Sequence, residues 1–305
     1  VNLIPLSGPI SSAEAEISGM AWYSDTLILL PQYPDRFGPH GSAAVFTLNK
    51  SDILDYLSGK RSDPLQPGEM LLIAPHLESQ ISGFEGFEAI TIDTDLVYLT
   101  IEARPGGMMG YLVSGRVAKD TGQIILDASH MTAIPPQADL GNTSDESLFV
   151  FGSRLFSLYE VNGAGLNPEP VAHMFDLSLQ SVGSLPFPHV EYRITDATPP
   201  DDSGSFWAIN YFYPGDKFLA PDADPITEQF GEGLTHSHSN AVERLLAFQF
   251  SEDGIVLADT PPIQLELSPD GVSRNWEAIA RLDEQGFLLA TDKYPQTMLG
   301  FVPYP

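Results

Sequence analysis

Five short segments of this chain repeat one pattern, and that repetition constrains its fold more than any other feature. They are Ile17-Ser18-Gly19-Met20, Phe87-Glu88-Ala89-Ile90, Asp145-Glu146-Ser147-Leu148, Thr195-Asp196-Ala197-Thr198 and Trp276-Glu277-Ala278-Ile279. The second column reads Ser18, Glu88, Glu146, Asp196, Glu277, a hydroxyl and four carboxylates. The third, Gly19, Ala89, Ser147, Ala197, Ala278, is small throughout. Each segment opens a strand-like run that turns and returns as a second run. The second run closes on Gln32, Glu102, Glu160, Asn210 or Asp292. The interval is 14 positions in four copies and 15 in the last, where the turn Asp283-Glu284-Gln285-Gly286 is longer. A hairpin with equal arms ends where it began, so both polar columns belong at one end of each hairpin.

Further strand-like runs fill the intervals: residues 43–48 and 70–74, 110–117 and 123–127, 170–177 and 182–185, 244–250 and 263–267, and 298–302. Helical periodicity is confined to residues 52–57, with Ser51 as N-cap and Gly59 as stop. The prediction is an all-β chain: a single domain over residues 1–305, folded as a five-bladed β-propeller of four-stranded blades. Six blades fit the repeat count less well. Two separate β-sandwiches would leave a polar column at every first strand unexplained. The last blade lacks an outer strand, and residues 1–6 are predicted to supply it, pairing the chain ends and removing exposed sheet edges.

First strands of a propeller surround its channel, so Ser18, Glu88, Glu146, Asp196 and Glu277 are predicted to form a ring. Gathered carboxylates repel, and need either a cation or raised pKa values. Ca2+, which takes six to eight oxygens in flexible geometry, is the expected cofactor, with those five residues as candidate ligands. The alternative is that they only bond nearby backbone amides. There is no cysteine, which excludes thiolate ligands and nucleophiles. Asp and Glu outnumber Lys and Arg by 41 to 14, a net charge of −27, which disfavours nucleic acid and anionic membranes as partners. No apolar run reaches the roughly 18–20 residues of a membrane helix, so no membrane insertion is expected. A chain opening on Val1 suggests a processed leader, and hence a secreted or periplasmic protein.

Six of the basic residues, Arg36, Arg104, Lys217, Lys293, Arg193 and Arg274, fall beside the strand ends on the predicted metal face. Such a collar suits a small anionic substrate, with Arg36, Arg104, Arg193 and Lys293 as binding residues. Alternatively each neutralises a local carboxylate. Candidate proton-transfer groups are Glu102 and Asp292 of the outer column, or His236 and His238 in the long segment 214–240.

Phe87-Glu88-Ala89-Ile90 and Asn275-Trp276-Glu277-Ala278-Ile279-Ala280, each followed by strand, turn and strand, resemble the repeats of phytase-like (esterase-like phytase) β-propeller domains. So does Leu288-Leu289-Ala290-Thr291-Asp292-Lys293. The ring also resembles that of calcium-dependent five-bladed apyrases, whose central Ca2+ is held by serine and glutamate groups at blade starts. That resemblance implies ligand positions at Ser18, Glu88, Glu146 and Glu277. Asp196 departs from the pattern, being shorter, which implies contact through water. The apyrase nucleotide-binding segments have no counterpart. The expected function is a Ca2+-dependent hydrolase of phosphate esters or anhydrides at the channel mouth. The alternatives are a non-catalytic secreted propeller with a structural metal, and a lactonase or carboxylesterase.

Overall fold

The computed structural model describes residues 1–292 and 294–304. After the short strand β1 (Asn2–Ile4), β2 (Ile17–Tyr23), β3 (Thr26–Pro31), β4 (Ala43–Asn49) and β5 (Gly68–Ile73) run antiparallel in sequence order. A second antiparallel run follows: β6 (Phe84–Asp93), β7 (Leu96–Ala103), β8 (Met109–Ala118) and β9 (Gln123–Ile134). A two-residue parallel pairing of β5 with β9 joins the runs into one eight-stranded sheet. Next come β10 (Asp145–Phe151), β11 (Arg154–Tyr159), β12 (Val161–Asn162), β13 (Val171–Asp176) and β14 (Ser181–Pro186). All but β12 form a four-stranded sheet. Strand β12 pairs instead with β15 (Val190–Ala197), whose sheet continues through β16 (Ser205–Phe212) and β17 (Val242–Ser251). Two short strands, β18 (Gly254–Leu257) and β19 (Ile263–Gln264), share the outer edge of β17. The last sheet is β20 (Trp276–Leu282), β21 (Gly286–Thr291), β22 (Leu299–Pro303) and then β1.

The predicted closure is present: Asn2 lies opposite Phe301, Leu3 opposite Gly300 and Ile4 opposite Leu299. The first strands pack in a closed cycle, β2 on β6, β6 on β10, β10 on β15, β15 on β20 and β20 on β2. Sheets around a closed cycle of inner strands are β-propeller architecture. The core lies between successive sheets. Leu27 and Leu29 of β3 pack with Leu288 and Leu299 of the last sheet, whereas Ile28 and Leu30 pack with Ile90 and Leu99 of β6 and β7. Alternate side chains of one strand thus serve two different interfaces, and both are apolar. That is why Leu27-Ile28-Leu29-Leu30 reads as an unbroken apolar run.

Two local expectations are corrected. The helix α1 spans Lys50–Leu57 and its N-cap is Asn49, with Ser51 already inside the first turn. The outer edge of β17 is not a single strand at 263–267. Pro261-Pro262 lack amide protons and divide it into β18 and β19. Two further helices are short, α2 (Leu77–Gln80) and α3 (Pro225–Phe230), and no helix among the described residues is long and apolar enough to cross a membrane.

Candidate functional site

Every first strand carries a register irregularity at the polar column. Pairing skips from Ile17 to Gly19, from Phe87 to Ala89, from Asp145 to Ser147, from Ile194 to Ala197 and from Trp276 to Ala278. The residue left over is Ser18, Glu88, Glu146, Glu277 or, in β15, the pair Thr195-Asp196. A β-bulge leaves its extra residue out of the ladder and re-aims its side chain. The outer column sits at the same hairpin ends: Gln32 N donates to Glu16 O, Glu160 N to Ser144 O and Asp292 N to Asn275 O, and Glu102 pairs with Gly86.

At these ends lies a cavity of about 850 Å3. Glu88, Glu146 and Glu277 line it, with Gln32, Glu102, Glu160 and Asp292 of the outer column. Ser18 and Asp196 do not. Ser18 Oγ donates to Phe87 O at 2.7 Å. Asp196 accepts from Ala197 N and Ile279 N, both at 2.8 Å. The predicted ring therefore divides into three cavity glutamates and two clamps between neighbouring sheets. A serine or aspartate at the bulge reaches only the adjacent backbone, and a glutamate's extra methylene carries its carboxylate beyond the strand end.

Among the described residues eight carboxylates line the cavity against two guanidinium groups. Burial raises Glu88, Glu146 and Glu277 well above the usual carboxylate range, and neighbouring charge adds to it, chiefly Glu102, Glu160 and Asp292 respectively. Gln32 Nε2 opposes the shift at Glu88 by donating to Oε1 at 2.9 Å. Asn275 Nδ2 bridges Glu277 Oε1 at 2.6 Å and Asp292 Oδ2 at 3.1 Å. Glu102 is pushed up to about 7 by burial and by Glu160 and Glu85, against the pull of Arg104. Glu102 Oε1 and Glu160 Oε2 are buried without a hydrogen-bond partner. Among the described residues, no three His, Asp or Glu stand close enough to make a ready metal-ligand set. The donors are nonetheless hard oxygens, and two of those buried oxygens lack a partner.

Arg193 and Arg104 line the cavity. Burial alone would lower the pKa of Arg193, but Glu160, Glu146 and Asp216 hold it raised. Its guanidinium bonds Glu160 and reaches Asp216 Oδ2 at 3.1 Å. Arg104 is half-exposed and meets Glu85 at 3.4 Å. Arg36 lies outside the lining, paired with Glu16 at 3.2 Å, and Arg274 is paired with Glu243 at 2.9 Å. Each of these four arginines has a local carboxylate partner, and of the four Arg104 and Arg193 line the cavity. Lys293 lies outside the described residues. Of the proposed proton-transfer groups, Glu102 and Asp292 line the cavity and His236 and His238 do not. His236 faces a second cavity and His238 is exposed.

Sequence reasoning missed Glu85, Asn275, Tyr211, Tyr213, Asp216 and Tyr294 in the lining. Two had a local signal. Glu85 precedes Gly86 at a second irregularity in β6, and Asn275 directly precedes the fifth repeat. Tyr213 and Asp216 follow β16 into the long segment and carry no repeat signature.

No protein-family model matches the chain, and no curated protein sequence matches it either. The resemblance to phytase-like domains therefore rests on its motifs alone. Solved structures align with it over most of its length. A bifunctional GH43-CE protein of Bacteroides eggerthii aligns over 99% of this chain and 34% of its own, at TM-score 0.51 and 11% identity. A glucose dehydrogenase aligns over 98% and 99% of the two chains, at TM-score 0.47 and 12% identity. Kuenenia stuttgartiensis hydrazine synthase aligns over 93% and 76%, at TM-score 0.46 and 10% identity. At 11% identity the likeness to the GH43-CE protein bears on the fold alone and says nothing about chemistry.

Proposed function

We propose that the chain is one domain, a five-bladed β-propeller, and a Ca2+-dependent hydrolase of phosphate esters or anhydrides working in the central cavity. One observation carries this reading: bulge-presented Glu88, Glu146 and Glu277 share a cavity with Glu102, a buried carboxylate with an oxygen that has no partner. The hard oxygen set and the unpartnered oxygens of Glu102 and Glu160 fit Ca2+. Glu88, Glu146 and Glu277 would hold it. A Ca2+ held there would supply the positive charge that polarises a phosphoryl oxygen. Glu102 accepts the proton of the attacking water and returns it to the leaving group. Arg104 turns from Glu85 to the substrate anion at the rim. Arg193, held by Glu160 and Asp216, keeps those two carboxylates in place.

A second reading, hydrolysis of a neutral ester or lactone, is favoured by the eight carboxylates set, among the described residues, against two already paired guanidinium groups. Metal analysis of the purified protein comes first, followed by turnover of 4-nitrophenyl phosphate, pyrophosphate, a 4-nitrophenyl ester and a γ-lactone, with Ca2+ or chelator. We expect Ca2+-dependent turnover of a phosphate substrate that Glu102→Gln lowers at least about 100-fold while Ca2+ still binds. Turnover confined to the ester or lactone would select the second reading. Full Ca2+ affinity in both Glu88→Ala and Glu277→Ala would remove the premise.

A further inference from the structure

A second cavity, of about 340 Å3, shares no lining residue with the first. It opens between β15, β16, β17 and β19 and the segment that carries α3 and His236. Tyr192 holds φ 69, a left-handed conformation that bulky side chains rarely adopt. Its side chain lines this cavity, and the next residue, Arg193, lines the main one. The Tyr192 ring stacks on Phe212, with centroids 4.7 Å apart.

The polar groups here differ in kind from those of the main cavity. Arg244 is 1% exposed and fully committed: to Asp224 at 2.7 and 3.1 Å, and through Nε to Asn210 Oδ1 at 2.8 Å. It offers no binding site for an anion. His236 is 6% exposed, and its Nε2 accepts from Glu243 N at 3.2 Å. The ring proton is therefore on Nδ1, which has no partner. Gly233 packs against that edge of the ring, where a Cβ would come within 2.5 Å of Nδ1. The side-chain amides of Asn240 and Gln264 make no hydrogen bond to any described residue, and the carboxylates of Glu228 and Glu232 stand exposed at the margin.

One unpartnered donor, two amides and two acceptors thus surround a stacked aromatic pair. An apolar occupant would leave the buried donor unpaired. An anion would meet carboxylates and a spent guanidinium. A hydroxyl both donates and accepts, and so suits every group in the lining. We propose that this cavity binds a neutral, hydroxyl-rich small molecule of monosaccharide size, against Tyr192 and between Gln264, Asn240 and His236. Its oxygen reaches His236 by easing Gly233 away from the ring.

The test is an NMR titration of the isotope-labelled chain with glucose, myo-inositol and glycerol, and separately with choline as an organic cation. The expected result is saturable shifts at Tyr192, Asn240 and Gln264 with at least one neutral polyol. Asn240→Ala and Gln264→Ala, each at a partly or fully exposed position, should each weaken binding at least about tenfold. Glu88→Gln, in the other cavity, should leave it unchanged. The proposal is overturned by the absence of saturable shifts there, by binding of choline alone, or by binding that survives both alanine substitutions.

Discussion

Glu102 has a buried oxygen without a partner, and that burial is the first cause of a pKa pushed up to about 7. Glu88, Glu146 and Glu277 are raised for the same first cause, burial. Such groups hold protons more tightly in the folded chain than in the unfolded one. Between the ordinary value of 4.5 and about 7, the folded state of Glu102 binds more protons than the unfolded state. Stability from this group is therefore complete below that window and falls as pH rises through it. A shift of this size is worth on the order of 3 kcal/mol. His173, raised by Asp145, acts in the same direction, and His236, lowered by burial, acts in the opposite one. With chelator present, we expect a lower thermal midpoint at pH 8 than at pH 5.5, and added Ca2+ should narrow the gap. Calorimetric midpoints that do not differ in chelator would show that the cavity carboxylates are not proton-linked to folding.

At the scale of the element, one bulge serves two purposes. In β6, β10 and β20 it delivers a glutamate to the cavity, and in β2 and β15 it ties one inner strand to the next. Asp196→Ala would leave the amides of Ala197 and Ile279 without their acceptor, at about 2–4 kcal/mol for the two buried donors. Urea unfolding should register that loss, and calorimetric titration should find Ca2+ affinity within about twofold of the parent. A large fall in affinity would return Asp196 to the ligand set. The small third column has an equally plain cause. A Cβ on Gly19 would meet Ile90 N at 3.0 Å and Ala89 Cα at 3.3 Å, because β2 and β6 approach closely there. Gly19→Val should lower the unfolding free energy by about 1–3 kcal/mol through overpacking, and an unchanged urea midpoint would contradict that close contact. Both polar columns were legible in the sequence because they follow from strand length and register. The difference between ligand-like and clamp positions was not, since Ser18 and Asp196 occupy the same column as the glutamates.

At the scale of the molecule, closure depends on the three-residue pairing of β1 with β22 and on Ile4, which is 2% exposed. Removing residues 1–6 would strip that pairing and uncover the edge of β22, an open template for association. The truncated chain should melt at a lower temperature and show a concentration-dependent mass by light scattering. A truncated chain that stays monomeric with an unchanged midpoint would show that the last sheet closes without β1.

By itself the sequence determined the number and order of the hairpins, the ends at which their polar residues gather, and the pairing of the two chain ends. The first two depend on local periodicity, which strand geometry transmits directly, and the third on the repeat count, which leaves the last sheet one strand short. Only the tertiary structure decided which polar residues share the cavity. Ser18 meets Phe87 O, Asp196 meets Ile279 N, and Gln32 meets Glu88 across sequence separations of 69, 83 and 56 residues. The arginines turn toward whichever carboxylate the fold brings near, and His236 lies beyond the cavity because α3 and its flanking turns pack against β17 and β19. Hydrogen bonds and ion pairs of this kind are contests between neighbours, and the neighbours exist only after folding.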